Sequence, residues 1–240
     1  MYRRKRIRYD RKKGGCKMKT IADMEAAWQA QIPNVQTATF GMGCFWSPDA
    51  RFGAIPGVVR TRVGFAGGTV NKPTYRQMGD HTETVQIDFD PSIFSFERMI
   101  RTFWAHHTST HRVTYKERQY MSILFYHNQE QKRTINKVKK ELEAERKETI
   151  ETEIQPFTAF TLAEPRHQKY HLKRFKKAAD MLTRSFPSEA CFMNSTVIAR
   201  LNGFVKEYST LQTIIEEMML WDMSDSEQDE LVQMIRNIRW

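Results

Sequence analysis

Apolar residues recur along the chain with two different periods, and each period predicts one kind of secondary structure. Apolar residues at every second position, as in 83–89, predict strands, and apolar residues three and four positions apart, as in 95–106 after Ser95, predict helices. Strands are predicted at 35–40, 58–65, 83–89, 121–126 and 150–160. Helices are predicted at 21–30, from 48 onward, at 95–106, 129–147 and 167–184, and as one or two helices within 210–240. The elements follow no regular β-α-β repeat, so the fold class predicted is α+β.

Two stretches, 150–160 and 188–204, depart from the regular patterns of the other predicted elements. Pro156 interrupts the run 150–160 and cannot donate a backbone hydrogen bond, so this strand is predicted at a sheet edge. Residues 188–204 show neither period and are predicted to be irregular. The pattern divides the chain into a segment 1–19, a domain 20–208 and an acidic helical extension 209–240.

The net charge is concentrated at one end of the chain. Of the 240 residues, 38 are Lys or Arg and 28 are Asp or Glu, which gives a net charge of +10. Residues 1–19 contain ten of the bases and one acid, so the remaining chain is nearly neutral and is not a nucleic-acid binder by charge. The first segment is predicted to be a disordered basic arm. It is interpreted as a nuclear-localisation or polyanion-binding segment, or as an extension upstream of a start at Met18.

Composition also limits the cellular compartment and the kinds of functional site that are expected. No run approaches the roughly 18 apolar residues that a membrane span needs, so no membrane association is expected. Cys16, Cys44 and Cys191 have wide, irregular spacing that matches neither a disulfide framework nor a zinc site. A reducing, cytoplasmic location is expected, with the nucleus as an alternative through the basic arm. The histidines His106, His107 and His111 have no nearby Cys or acid, so no metal site is predicted.

The tetrapeptide Gly43-Cys44-Phe45-Trp46 is the strongest candidate for chemistry. It ends an apolar run and precedes a predicted helix, and a helix N-terminus stabilises a thiolate and lowers the pKa of the thiol. Phe45 and Trp46 offer apolar walls for a small group such as a methyl. The alternative interpretation is a buried structural cysteine in an aromatic core.

Eight short motifs occur in the order seen in the methionine sulfoxide reductase A family, which residues 36–172 therefore resemble. The motifs are Gly43-Cys44-Phe45-Trp46, Gly57-Val58-Val59, Val63-Gly64-Phe65-Ala66-Gly67-Gly68, Pro73-Thr74-Tyr75, His81-Thr82-Glu83, Phe103-Trp104, Gln119-Tyr120-Met121-Ser122 and Ala163-Glu164 with His167-Gln168-Lys169-Tyr170. The resemblance implies a two-layer α+β sandwich with a mixed sheet and a ferredoxin-like core. It also implies that 20–208 is a catalytic domain reducing the S epimer of methionine sulfoxide, free or in proteins.

The residue types of the motifs suit that reaction, and the resemblance implies the same roles. Cys44 attacks the sulfoxide sulfur and becomes a sulfenic acid, while Glu83, beside an aromatic-walled pocket, donates the proton. Tyr75 and Tyr120 donate hydrogen bonds to the sulfoxide oxygen, and Phe45 and Trp46 hold the methyl group. No bound cofactor is expected, and a thiol reductant such as thioredoxin serves as co-substrate. Without the resemblance, Glu83 would be interpreted as a surface carboxylate, and Tyr75 and Tyr120 as packing residues.

The chain departs from the family pattern at several positions. Ser47 replaces a glycine, Thr108 replaces an aspartate, Met121 replaces an arginine, and the loop between Tyr75 and Glu83 is shorter. These changes leave open a weakened or inactive homologue that binds oxidised methionine as a module. An interaction protein that works through its basic arm is the third interpretation. A monomer is expected.

Recycling depends on a second thiol. Cys191 is the candidate resolving cysteine, although its neighbourhood lacks the glycines of many family members. It alternatively packs in a core beside Phe192. Without a resolving cysteine, the sulfenic acid is reduced directly by thioredoxin, glutathione or another thiol.

Overall fold

The structure is a computed structural model, and it describes residues 20–109 and 118–240. The predicted basic arm, Cys16 and His111 lie outside the described residues. The strands are β1 (Gln36–Met42), β2 (Val58–Ala66), β3 (Thr82–Phe89), β4 (Ser122–Tyr126), β5 (Glu153–Pro156) and β6 (Phe160–Leu162). The helices are α1 (Ile21–Gln29), α2 (Trp46–Gly53), α3 (Phe96–Ala105), α4 (Gln129–Arg146), α5 (Tyr170–Lys173), α6 (Lys176–Arg184), α7 (Glu189–Asn194), α8 (Thr196–Phe204), α9 (Leu211–Met218) and α10 (Asp225–Arg236).

One mixed sheet organises the fold, in the strand order β5-β4-β1-β3-β2-β6. All neighbouring strands are antiparallel except β4 and β5, which are parallel. The succession β1-α2-β2-β3-α3-β4 forms a split β-α-β-β-α-β unit, whose four strands take the ferredoxin-like order β4-β1-β3-β2. The predicted α+β class with a mixed sheet is confirmed.

The main core lies between one face of the sheet and the helices α3 and α4. Phe40 of β1 and Val85 of β3 are register partners, and both belong to this buried cluster. Met99 and Phe103 of α3 and Val138 of α4 complete it from the helical layer. Because side chains alternate across a strand, the same alternation that predicts these strands also places their apolar positions on one face.

Three of the predicted elements are wrong in detail. The helix predicted at 167–184 is two separate helices, α5 and α6, because Lys169, before α5, has a left-handed φ of +53°. The single strand predicted at 150–160 is two short strands, β5 and β6, at opposite edges of the sheet. Pro156 ends β5 at one of those edges, as a residue without an amide hydrogen requires. Residues 188–204, predicted to be irregular, form α7 and α8, which begin after the capping side chains of Ser188 and Ser195. Each helix is short, so no long apolar period develops.

The C-terminal extension packs in a second core rather than apart from the fold. Leu231 and Ile235 of α10 and Ile214 of α9 share a buried cluster with Leu201 of α8 and Ile21 of α1. The indoles of Trp28 and Trp221 stack at 3.9 Å between ring centroids. The division into 20–208 and 209–240 stays a prediction about domain boundaries.

A fully buried arginine joins this extension to the helix that follows Cys44. Arg200 of α8 donates 2.7 Å to the carbonyl oxygen of Gly53, at the end of α2, and 2.8 Å to that of Val58, at the start of β2. Its Nε and Nη2 also donate to the two carboxylate oxygens of Glu217 on α9, each at 2.7 Å. This bidentate pair fixes α9 against the end of α2.

The carboxyl of Glu25 on α1 is buried at the N-terminus of α8. Its Oε1 accepts a 2.8 Å hydrogen bond from the backbone amide of Val197. Burial raises the pKa of Glu25 from 4.5 to about 7, and hydrogen bonds from Ser195 and the Val197 amide only partly oppose this rise. The folded protein therefore holds a proton that the unfolded chain releases over this pH range.

Stability is expected to change with pH because of Glu25. Above pH 7 the group is ionised in both states and destabilises the fold, whereas near pH 4.5 and below it is protonated in both and the penalty is absent. The contribution of Glu25 to the free energy of unfolding should therefore rise by up to about 3 kcal/mol as the pH falls from 7 towards 4.5. Urea unfolding at pH 5, 6, 7 and 8 should show this trend, and Glu25→Gln should remove it while the exposed control Glu145→Gln keeps it. A wild-type minus Glu25→Gln difference that is constant with pH contradicts the assignment.

Candidate active site

Cys44 lies in the turn between the end of β1 and the start of α2. The turn depends on Gly43, whose φ of +83° lies in the left-handed region that favours glycine. The residue Cys44 is exposed, although its thiol is partly buried, and hydrogen bonding from the backbone amide of Trp46, in the first turn of α2, lowers the pKa of the thiol. The thiol therefore lies, partly covered, at the N-terminal end of a helix.

Glu83 lies beside this thiol because β3 begins where β1 ends. The side chain has 0% exposure, although it borders an open turn. Its Oε2 accepts a 3.1 Å hydrogen bond from the amide of Phe45, and its Oε1 accepts a 2.6 Å hydrogen bond from Nε2 of Gln119. The charge of this carboxyl and hydrogen bonding to it both raise the pKa of the Cys44 thiol. The nucleophile and the acid proposed from sequence are thus close neighbours.

The pKa of the Cys44 thiol is raised rather than lowered. Partial burial raises it most, and the charge of Glu83 and the hydrogen bond to Glu83 raise it further, while the Trp46 amide lowers it. The position at a helix N-terminus predicts a lowered pKa, but burial, with a smaller contribution from Glu83, outweighs that effect. A neutral Glu83 removes its contribution, so the protonation states of the two groups depend on each other.

Tyr75 and Tyr120 reach the same turn from two separate loops. The hydroxyl of Tyr120 donates a hydrogen bond to that of Tyr75. Burial, followed by the charge of Glu83, raises the pKa of both phenols, and that of Tyr120 reaches about 12. Both tyrosines therefore keep their protons at neutral pH and are available as hydrogen-bond donors.

Aromatic side chains form a wall beside Cys44. Phe45 is buried against Val63 and Phe65, whereas Trp46 is half-buried and stacks on Tyr170 at 3.7 Å between ring centroids. This wall presents flat apolar faces to whatever lies next to the thiol.

His167 extends the aromatic wall and was not predicted from sequence. It stacks on Tyr75 at 4.4 Å, and its Nδ1 accepts a 3.3 Å hydrogen bond from Nε1 of Trp46. Burial lowers the pKa of His167, with Glu164 opposing and Arg166 adding to the effect, so the ring is neutral and can accept this bond. The motif 167–170 contains both missed aromatics, His167 and Tyr170, and was the available signal.

A buried polar network beneath α2 was also missed. The fully buried Nζ of Lys169 donates to Oδ1 of Asp49 at 2.7 Å and to the carbonyl oxygen of Thr61 at 2.6 Å. Asp49 accepts further bonds from the hydroxyl of Thr61 at 2.6 Å and from Nδ2 of Asn202 at 3.2 Å. The network ties the helix that follows Cys44 to β2 and to the segment that carries His167 and Tyr170.

Cys191 is not brought to this site. It lies on α7 and lines a cavity of about 210 Å³ with Arg60, which pairs with Asp88 of β3. Asp88 and Glu83 are five residues apart on β3, which corresponds to roughly 17 Å of extended strand. A disulfide needs Cα atoms within about 7 Å of each other, so the position of Cys191 beside Arg60 argues against a bond to Cys44 in this conformation.

Thr108, at the expected aspartate position, is exposed, and Met121 is half-buried. Within 20–109 and 118–240, no group of three or more His, Cys, Asp and Glu side chains is arranged to hold a metal ion. None of the helices described here is long and apolar enough to cross a membrane.

Comparison with known proteins places this site in context. A family model described as peptide methionine sulfoxide reductase matches residues 36–196. A peptide methionine sulfoxide reductase of Drosophila melanogaster is 45% identical over 171 residues, covering 70% of this chain and 68% of that protein. Peptide methionine sulfoxide reductase A5 of Oryza sativa subsp. japonica is 39% identical over 184 residues, covering 74% and 71%. The solved structure of methionine sulfoxide reductase A of Corynebacterium diphtheriae has a TM-score of 0.51 and 29% identity, covering 60% of this chain and 77% of that one.

Proposed function

Since this chain belongs to the peptide methionine sulfoxide reductase family, we propose that Cys44 and Glu83 carry out its reaction on the S epimer of methionine sulfoxide. The chain is an oxidoreductase of the methionine sulfoxide reductase type. The observation that carries the residue assignment is a fully buried carboxyl that accepts from the amide next to Cys44 and is close enough to raise the pKa of its thiol. The substrates are oxidised proteins or free methionine sulfoxide.

The first step moves one proton within the pair. The thiol proton of Cys44 passes to Glu83, which leaves a thiolate beside a neutral carboxyl. Burial of Glu83 disfavours its charged form, and the Trp46 amide stabilises the thiolate, so both effects favour this arrangement. The donors on Glu83, the Phe45 amide and Gln119, act in the opposite direction and keep the carboxyl oriented.

The second step transfers the oxygen. The thiolate of Cys44 attacks the sulfoxide sulfur while Glu83 protonates the sulfoxide oxygen. The sulfur–oxygen bond of the substrate and the transient bond between the two sulfurs then break, and the hydroxyl ends on Cys44 as a sulfenic acid. Methionine is released, so the substrate sulfur is reduced by two electrons and the cysteine sulfur is oxidised by two.

Tyr75 and Tyr120 stabilise the oxygen as negative charge develops on it. Their raised pKa values keep both hydroxyls protonated, and both lie close enough to Glu83 and Cys44 to feel their charges. Phe45 and Trp46 hold the methyl group of the substrate against an apolar face, and the hydrogen bond of Trp46 to His167 orients the indole. Binding through the methyl group suits any oxidised methionine, free or in a protein.

Recycling uses a thiol from another molecule. One thiol condenses with the sulfenic acid on Cys44 to form a mixed disulfide and water, and a second thiol then releases the reduced enzyme. The separation of Cys191 from Glu83 along the sheet favours direct reduction over an internal disulfide. Thioredoxin, with two thiols, supplies both steps. A monomer is sufficient for this cycle because every proposed residue belongs to one chain.

A stereospecific turnover assay tests the proposal. With dithiothreitol as reductant, the S epimer of a capped methionine sulfoxide is expected to be reduced, and the R epimer is expected to remain. The preference for the S epimer is what membership of the family implies. Tyr75 and Tyr120 supply the donors for the oxygen, and the Phe45–Trp46 wall supplies the contact for the methyl group. Turnover of neither epimer, together with binding of the S epimer, would identify an inactive binding module instead.

A further inference from the structure

A groove lies far from Cys44, where the C-terminal extension meets the rest of the fold. It is a cavity of about 370 Å³ whose apolar lining includes Trp28, Pro33, Pro56, Ile93, Leu220 and Trp221. Leu220 is 86% exposed and Ile93 is 57% exposed, so two aliphatic side chains stand uncovered at its edge. Such an arrangement is typical of a surface that another segment covers.

The segment that forms one side of this groove is strongly acidic. Residues 209–230, here called the acidic segment, contain seven Asp and Glu and neither Lys nor Arg. Glu217 is paired with Arg200, and Glu227 caps α10. The exposed acids of this segment are Glu216, Asp222, Asp225, Asp229 and Glu230. Within the described part of the chain, none of these five forms an ion pair with a base, and Asp222 lines the groove itself.

The same chain carries a segment of complementary charge. Residues 1–19 hold ten Lys and Arg and one acid, with Tyr2, Ile7 and Tyr9 interleaved among them. This segment joins the described fold at Thr20, which caps α1. α1 packs on the cluster that contains α9 and α10, and Trp28 near its other end lines the groove.

We propose that residues 1–19 dock on the groove and the acidic segment of the same chain. One of the apolar side chains Tyr2, Ile7 and Tyr9 fills the groove against Trp28 and Leu220, and the flanking bases meet Asp222 and Glu216. Nineteen residues span up to about 60 Å, which exceeds the roughly 14 Å length of α1. The covalent link gives the segment an effective concentration in the millimolar range, so weak contacts suffice.

The interaction is expected to be sensitive to salt. Exposed charge pairs are weak one by one and are screened at separations near 10 Å in 0.1 M salt. The docking therefore depends on the number of charges facing each other and on the apolar anchor. The docking does not involve Cys44, so it is tested independently of the reductase chemistry.

Energy transfer within the full-length chain tests the docking. In a Cys44→Ser, Cys191→Ser background, Cys16 is the one remaining thiol and is labelled with a dansyl group. Transfer from tryptophan to dansyl is expected to be high in 50 mM salt and to fall about threefold in 500 mM salt. Transfer that is unchanged by salt overturns the proposal.

Charge reversal identifies the surface. Glu216→Lys with Asp222→Lys should lower transfer in 50 mM salt to the high-salt level. Adding Arg3→Glu and Arg4→Glu to that variant should restore it. The matched control, Glu145→Lys with Glu148→Lys at the end of α4, should behave as the parent. An equal loss in the control, or no rescue by the swap, shows that the groove is not the docking surface.

Dilution distinguishes docking within one chain from docking onto a second copy of the chain. Transfer within one chain is independent of protein concentration between 1 and 50 μM, which is the expected result. Transfer that falls on dilution means that the segment binds the groove of another molecule, and this outcome overturns docking within the chain. Circular dichroism of every variant checks that the fold is retained.

Discussion

Replacing Cys44 by serine is expected to abolish reduction of the S epimer, with a loss of at least about three orders of magnitude in kcat. A serine hydroxyl is far less acidic than a thiol, even one whose pKa is raised by burial and by Glu83. It also cannot take up the oxygen as a sulfenic acid. Steady-state turnover with dithiothreitol measures the loss, and trapping of the sulfenic acid with dimedone locates the oxygen on residue 44.

Cys191→Ser serves as the matched control for this substitution. Because Cys191 lies beside Arg60, which pairs with Asp88 near the other end of β3 from Glu83, its removal is expected to leave turnover with dithiothreitol unchanged. Retention of full activity in Cys44→Ser would contradict the proposed mechanism. Loss of activity in Cys191→Ser alone would mean that α7 moves to the site during the cycle.

The second large effect is expected at Glu83. Glu83→Gln keeps the shape of the side chain but removes its acidic proton, so kcat is expected to fall by about 10²- to 10⁴-fold. The wild-type rate is expected to fall at high pH as the acid loses its proton, and that limb should be absent in the variant. A pH profile of kcat between 5 and 9 for both proteins tests this.

Thiol reactivity separates proton donation from simple damage to the site. The charge of Glu83 raises the pKa of Cys44, so its removal should lower that pKa and increase the fraction of thiolate at pH 7. In a Cys191→Ser background, alkylation of Cys44 by iodoacetamide should therefore be faster in Glu83→Gln than in the parent. Slower turnover with faster alkylation supports the donor role, and a fall in both contradicts it.

Local sequence patterns were sufficient to predict most of the strands of the sheet and the residues nearest the thiol. The alternation in 83–89 and the turn at 43–46 are properties of a few neighbouring residues, and both elements lie where they were predicted. The α+β class follows because strands and helices of this kind, without a regular repeat, have few ways to pack. The close approach of Cys44 and Glu83 rests on the pairing of β1 with β3.

The supporting residues depend on contacts between distant parts of the chain. Lys169 meets Asp49 across 120 positions, and a lysine in an otherwise basic stretch has no local signal of burial. The predicted helix 167–184 is broken near Lys169, whose φ of +53° is not helical. This break turns His167 towards Trp46, and no periodicity could have shown it. The distance from Cys191 to the site likewise becomes visible only when strand register is known.

The bidentate contact of Arg200 with Glu217 has a practical consequence for the C-terminus. A stop codon or protease cut between α8 and α9 would leave a guanidinium buried in the interior without its counterion. An uncompensated buried charge costs about 3–5 kcal/mol, a large share of the stability of an ordinary domain. A protein truncated before α9 is therefore expected to have a lower free energy of unfolding than the full chain, measured by urea unfolding of the two side by side.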